Sequence, residues 1–116
     1  MSEFDYTGRS GVAREVGVKR SAELVLATVD LTGMLDTDET ISGTPTVAER
    51  VTSDLTIAGE AATTVPILID SRTVAAGKAA RFTVTGGTAG TTYTVRVTAT
   101  TSDSNTVVTD VKVMLI

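Results

Sequence analysis

Tyr93-Thr94-Val95-Arg96-Val97-Thr98-Ala99-Thr100 is the stretch that decides the fold class of this chain. Tyr93, Val95, Val97 and Ala99 alternate with Thr94, Arg96, Thr98 and Thr100. A period of two places one apolar row and one polar row on opposite faces of a β-strand. Upstream, Phe82 and Val84 begin the same pattern before a turn built on Gly86, Gly87 and Gly90. Downstream, Val111, Val113 and Leu115 resume it after the polar turn from Ser102 to Asn105. The reading is three consecutive antiparallel strands whose core rows are Phe82 and Val84, then Tyr93, Val95 and Val97, then Val111, Val113 and Leu115.

Composition sets the limits around this hairpin pair. One domain is expected of 116 residues, and that length can bury a real core. Aromatic residues are only 3% of the chain and tryptophan is absent, so the core must be made of Val, Ile, Leu and Ala. Abundant threonine and valine favour strands, because β-branched side chains suit a pleated surface. The net charge is −4 with no basic stripe, which argues against direct nucleic-acid binding. No cysteine means no disulfide framework and no thiolate metal site. No signal peptide and no apolar run of about 20 residues is visible, so the expectation is a protein made in the cytoplasm with no membrane partner.

Taken in order, residues 1–20 are polar and punctuated by Gly8, Gly11 and Gly17. They read as an N-terminal arm, either disordered or docked on a neighbouring subunit through Phe4 and Tyr6. Ser21 to Leu31 is the first strand, apolar on both faces in its middle. Thr40 to Val47 is the second, with Ile41 in the core and Pro45 marking an edge or a bulge, since proline cannot donate to a ladder. Val47, Val51 and Leu55 have helical spacing, but Thr52 and Ser53 oppose a helix, and a turn is read there. A short strand follows at Leu55 to Ala58, then a loop from Gly59 to Thr63. Thr64 to Asp70 is the next strand, apolar on both faces, followed by a turn with a short strand near Val74. About seven short strands with turn signals between them point to an all-β sandwich of immunoglobulin or fibronectin-III type over 21–116.

Little here carries chemistry. Histidine is absent as well as cysteine, which removes Ser-His-Asp and Cys-His catalysis and the usual transition-metal sites. Asp36, Asp38 and Glu39 form the one acidic cluster; it reads as a solvated turn, since calcium needs more oxygens than this loop offers. Gly86-Gly87-Thr88-Ala89-Gly90 lacks the Lys-Ser/Thr ending of a phosphate loop and reads as a turn. Tyr93 opens a strand after that turn and resembles the tyrosine corner of sandwiches, whose hydroxyl bonds the nearby backbone. No catalytic residue, cofactor or metal is expected.

The run from Gly86 to Val95, with its Thr/Ser turn and final alternating strand, resembles a family of small bacteriophage virion proteins that act as fibre–tail adaptors or in head–tail connection. Leu35-Asp36-Thr37-Asp38-Glu39-Thr40-Ile41-Ser42 is similar to that family's Leu-to-Asp-Thr-Ile-Ser signature with an insertion, and Leu55-Thr56-Ile57 to its next strand. The resemblance covers roughly residues 24 to 116. It implies a structural protein of the virion with no catalytic residues, whose partners are portal, tail, fibre or capsid proteins and copies of itself. A capsid decoration protein, and more remotely a surface-binding module, remain as alternatives. Interface candidates are Phe4 and Tyr6 on the arm, and Leu68, Met114 and Ile116 on strand faces turned away from the core. Replacing Val97 by aspartate is expected to abolish the native melting transition, because an unpaired buried carboxylate is costly; a native melting curve would show the strand register to be wrong.

Overall fold

Strand β9 (Thr92–Thr100) has the predicted alternation, with Tyr93, Val95, Val97 and Ala99 buried. The computed structural model describes residues 2–8, 11–69 and 71–116, with the backbone alone at residues 2 and 11–15. On one side β9 pairs antiparallel with β10 (Thr106–Leu115), setting Val113 opposite Tyr93 and Val111 opposite Val95. On the other side lies the short β4 (Thr46–Glu49), with Val47 opposite Val97. Strand β2 (Gly11–Lys19) pairs parallel along the outer side of β10, giving a sheet of order β2-β10-β9-β4.

The facing sheet is centred on β8 (Ala79–Gly86), which pairs antiparallel with β3 (Val25–Asp30) and β5 (Leu55–Ala62). Strand β1 (Ser2–Thr7) pairs parallel with β3 and completes the order β1-β3-β8-β5. A small hairpin of β6 (Ile67–Ile69) and β7 (Arg72–Val74) buries Ile69 and Val74 against Ala79. The architecture is an all-β sandwich. Its inward rows include every core residue predicted for β8, β9 and β10.

Interior packing alternates large with small across the strands. Register sets Ala27 between Phe4 and Phe82, and Val29 between Tyr6 and Ala80. A methyl between two benzyl groups lets neighbouring rings fit at interior density without distorting the sheet. Strand β3 is covered on both faces, as its apolar run predicted: Thr28 and Asp30 on the outer side are buried too. Asp30 is held there by Arg72 at 2.5 Å and by the Thr32 N–H at 2.9 Å.

Four sequence expectations are corrected. The N-terminal segment is not a separate arm: β1 and β2 are edge strands of the two sheets, and Phe4 and Tyr6 belong to this chain's own core. Ten strands are present among the described residues rather than about seven. The second predicted strand begins only at Thr46; Ile41 upstream makes an isolated bridge with Thr101, and Pro45 sits just ahead of an edge strand. Strand β5 does not end at Ala58 but continues to Ala62 through a register shift between Ala58 and Ala61, which a reading that treats Gly59 as a terminator misses.

Gly17 shows why β1 and β2 meet. A Cβ placed on it would lie 2.3 Å from a ring carbon of Phe4 and 2.5 Å from the Tyr6 hydroxyl. The two rings pack edge to face, with centroids 6.2 Å apart, over backbone that carries no side chain. Tyr6 then donates its hydroxyl to the Lys112 carbonyl at 2.8 Å, tying β1 to the facing sheet. Gly17→Ala is expected to destabilise by about 1–3 kcal/mol through overpacking. Gly33→Ala, where nothing lies within 4 Å, is expected to stay within about 0.5 kcal/mol of the parent. Denaturant midpoints of the two variants check this; equal midpoints would contradict the packing.

Candidate functional site

Tyr93 behaves as the corner residue its position predicted. Its hydroxyl accepts from the Thr88 N–H at 2.9 Å and donates to the Asp54 carboxylate at 2.9 Å. The turn it braces has Gly86, Gly87 and Gly90 at φ of 83°, 100° and 85°, a region that side-chain-bearing residues rarely occupy. This end of the sandwich is a structural joint.

The acidic loop is a joint as well. Asp36, Glu39 and Asp103 bring one carboxylate oxygen each within 4.8 Å of one another. Glu39, however, is buried and accepts from the Asp36 N–H, the Thr101 hydroxyl and the Asn105 amide. Lys78 fills the inside of the loop, its Nζ donating to the carbonyls of Asp36, Thr37 and Glu39 at 2.9, 2.8 and 2.7 Å. The loop's backbone carbonyls are thus gathered onto the Lys78 ammonium, and the Glu39 carboxylate onto three donors of the chain itself. The loop clasps the β9–β10 turn to the strand that follows Lys78.

On the outer face of the β9 sheet, Asp110 accepts from Arg96 at 2.9 Å and from Arg50 at 3.2 Å. The Arg96 hydrogen bond comes first among the influences holding the Asp110 carboxyl below its usual range, with Arg50 adding to it. Both arginines remain partly exposed, and Lys112 bonds the Thr94 hydroxyl beside them. Together these give a polar, mostly self-satisfied centre to that face.

Its margin is apolar. Met114 is 39% exposed and Ile116 56%. Register places Val18 beside Met114, and Val16 beside Lys112 two pairs along. Both valines are 47% exposed, so an apolar strip runs along the β2–β10 edge. Sequence reasoning found Met114 and Ile116 but missed Val16 and Val18. On β2 the periodicity runs inverted, with Gly17 and Lys19 inward and the valines outward. Leu68, 71% exposed on the β6–β7 hairpin, lies on a separate element from this strip, as does the fully exposed Val51. Of the predicted interface residues, Leu68, Met114 and Ile116 are at the surface; Phe4 and Tyr6 are interior.

Residues 19–114 match the family model of the podophage GP4 fiber-tail adaptor protein gp77. The chain belongs to this family. No curated protein matches it. The gp77 adaptor family is a structural family of the phage virion, in keeping with the resemblance found in the sequence. Its matched span opens at Lys19, the last residue of β2, and takes in β3 through nearly all of β10. The family unit thus contains Leu68 and Met114 and both clasped turns, whereas Phe4, Tyr6, Val16 and Val18 lie outside it.

Stability should report the Glu39 clasp through pH. Hydrogen bonds from Thr101, from the Asp36 N–H and from Asn105 hold its carboxyl below the usual glutamate value. A depressed folded-state value contributes stability that is complete above the unfolded value, about 4.3, and is lost as pH falls through the folded value. Asp110 and Glu49, also depressed, act in the same direction. Glu39→Gln is therefore expected to lower stability at pH 7 and to flatten, without abolishing, the decline over the acid window below about pH 4.3. Denaturant titrations across that window check it; parallel curves for parent and variant would contradict the clasp.

Proposed function

We propose that this chain is a structural adaptor that attaches a tail fibre to the tail of a podophage particle, and that it works by holding partners rather than by catalysis. The family match across the sandwich is the observation that carries this reading. The geometry supports it. The turns at both ends are locked by internal bonds, which makes a stiff block, while apolar side chains stand outward at Met114, Ile116, Val16, Val18 and Leu68. Apolar residues grouped on a surface mark contacts between proteins. On this reading those residues contact tail and fibre proteins and further copies of the chain, within a virion assembled after synthesis in the host cytoplasm.

We also read the sandwich as one of immunoglobulin type. Setting aside β1, β2 and the β6–β7 hairpin, the remaining orders are β3-β8-β5 and β10-β9-β4. This agrees with strands B-E-D facing G-F-C in that fold.

Phage that cannot make this protein should yield DNA-filled, tailed particles without fibres, which electron microscopy of purified particles would show. Retained fibres would overturn the proposal. Separated heads and tails would instead place the chain at the head–tail junction, and fragile but fibre-bearing capsids would make it a decoration protein.

A further inference from the structure

We infer that β1 and β2 form an exchangeable unit: the two strands of one copy pair with β3 and β10 of a second copy of this chain. Strand β1 has β3 as its sheet neighbour and β2 has β10, both pairings are parallel, and both strands lie outermost in their sheets. Residues 20–24 are the covalent link from this unit to β3. With Ser21 seated against Gly86 and Gly87, residues 22–24 are the free part of that link, about 10–11 Å when extended at roughly 3.3–3.6 Å per residue.

The unit is made for an edge that the rest of the fold leaves open. The family match begins at Lys19, so the matched unit alone presents the free sides of β3 and β10. Phe4 and Tyr6 fill the space between those sides, against Ala27 and Val29 on one sheet and Lys112 on the other. Strands β1 and β2 lie in different sheets, so each takes its backbone partners from the edge on which it sits. Every copy of the chain carries the same edge. Ser21 bonds Gly86 and Gly87 where the link leaves β2, and these contacts re-form in either arrangement. Exchange therefore keeps the strand pairings and the Ser21 contacts and gives up only the turn in which Arg20 and Glu23 bond each other, which is the low-cost route to joined subunits. It also brings the outward Val16 and Val18, beside Met114, to the place where two copies meet.

The natural absence of cysteine makes the test clean. Val18 and Met114 are paired in register and both exposed. Chains carrying Val18→Cys are mixed with chains carrying Met114→Cys, unfolded together, refolded and oxidised. The control pair is Val51→Cys with Met114→Cys, since Val51 is fully exposed and lies outside the β2–β10 pairing. Exchange predicts a disulfide-linked heterodimer at least about tenfold more abundant than in the control. Equal yields would overturn exchange. The double variant in a single chain, refolded at high dilution, should close internally; failure to close would overturn the β2–β10 register and the inference with it. No virion is involved, so the outcome is independent of the adaptor reading.

Discussion

Two aromatic rings on β1 rest on a residue of β2 that has no side chain, and the closure of the sandwich depends on that contact. Phe4 and Tyr6 come from one sheet and Gly17 from the other. With Phe82 and Tyr93 the rings supply all the aromatic bulk of a chain otherwise filled by aliphatic side chains. Because β1 and β2 each lie at a sheet edge, one contact seals both sheets on the same side. Sheet edges with free backbone groups invite pairing with other chains. The chain covers the β3 and β10 edges with its own N-terminal segment and presents β2 in their place, with valines on its outer face.

Elsewhere the fold is tied by charges turned inward onto backbone. Lys19 is buried and donates to the carbonyls of Arg20, Ser21 and Gly86 at 2.6, 3.2 and 2.8 Å. Burial pulls its ammonium below the ordinary lysine value, which Glu23 partly offsets. Lys78 does the same work for the acidic loop. Burial opposes the ionised form of Glu49, yet its carboxylate is kept below the usual range by the Thr52 hydroxyl and by the N–H groups of Asp54 and Leu55. Each of these side chains satisfies turn groups, so loops at both ends are tied to the sandwich by side-chain bonds. A block of this kind suits a connector, which must transmit position between its partners.

The central strands were legible because one face of each meets the core and the other meets water, so β8, β9 and β10 show a period of two. The glycine turn and the Tyr93 corner were legible because both depend on residue type at fixed offsets. Strand β2 was not, since its inner face carries Gly17 and Lys19 while its valines point outward. Such a pattern becomes intelligible only once the rings over Gly17 and the carbonyls around Lys19 are seen. Phe4 and Tyr6 alternate with Glu3 and Asp5 as a strand should, but the glycines that follow, Gly8, Gly11 and Gly17, disguised the segment as an arm. Of the candidate site, Leu68, Met114 and Ile116 could be found as apolar residues on the wrong face of a strand; Val16 and Val18 could not be found without the parallel register of β2.

The proposed strand exchange and the proposed adaptor role together make one central claim: that copies of the chain are joined through β1 and β2 where the fibre meets the tail. A single-particle reconstruction of the intact virion, with the chain traced through residues 20–24, tests that claim most directly. The account predicts density for this protein at the tail–fibre junction, with β1 and β2 of each copy seated on β3 and β10 of a neighbour. Continuous density returning β1 and β2 to their own sandwich in every copy, or density for the chain elsewhere in the particle, would contradict it.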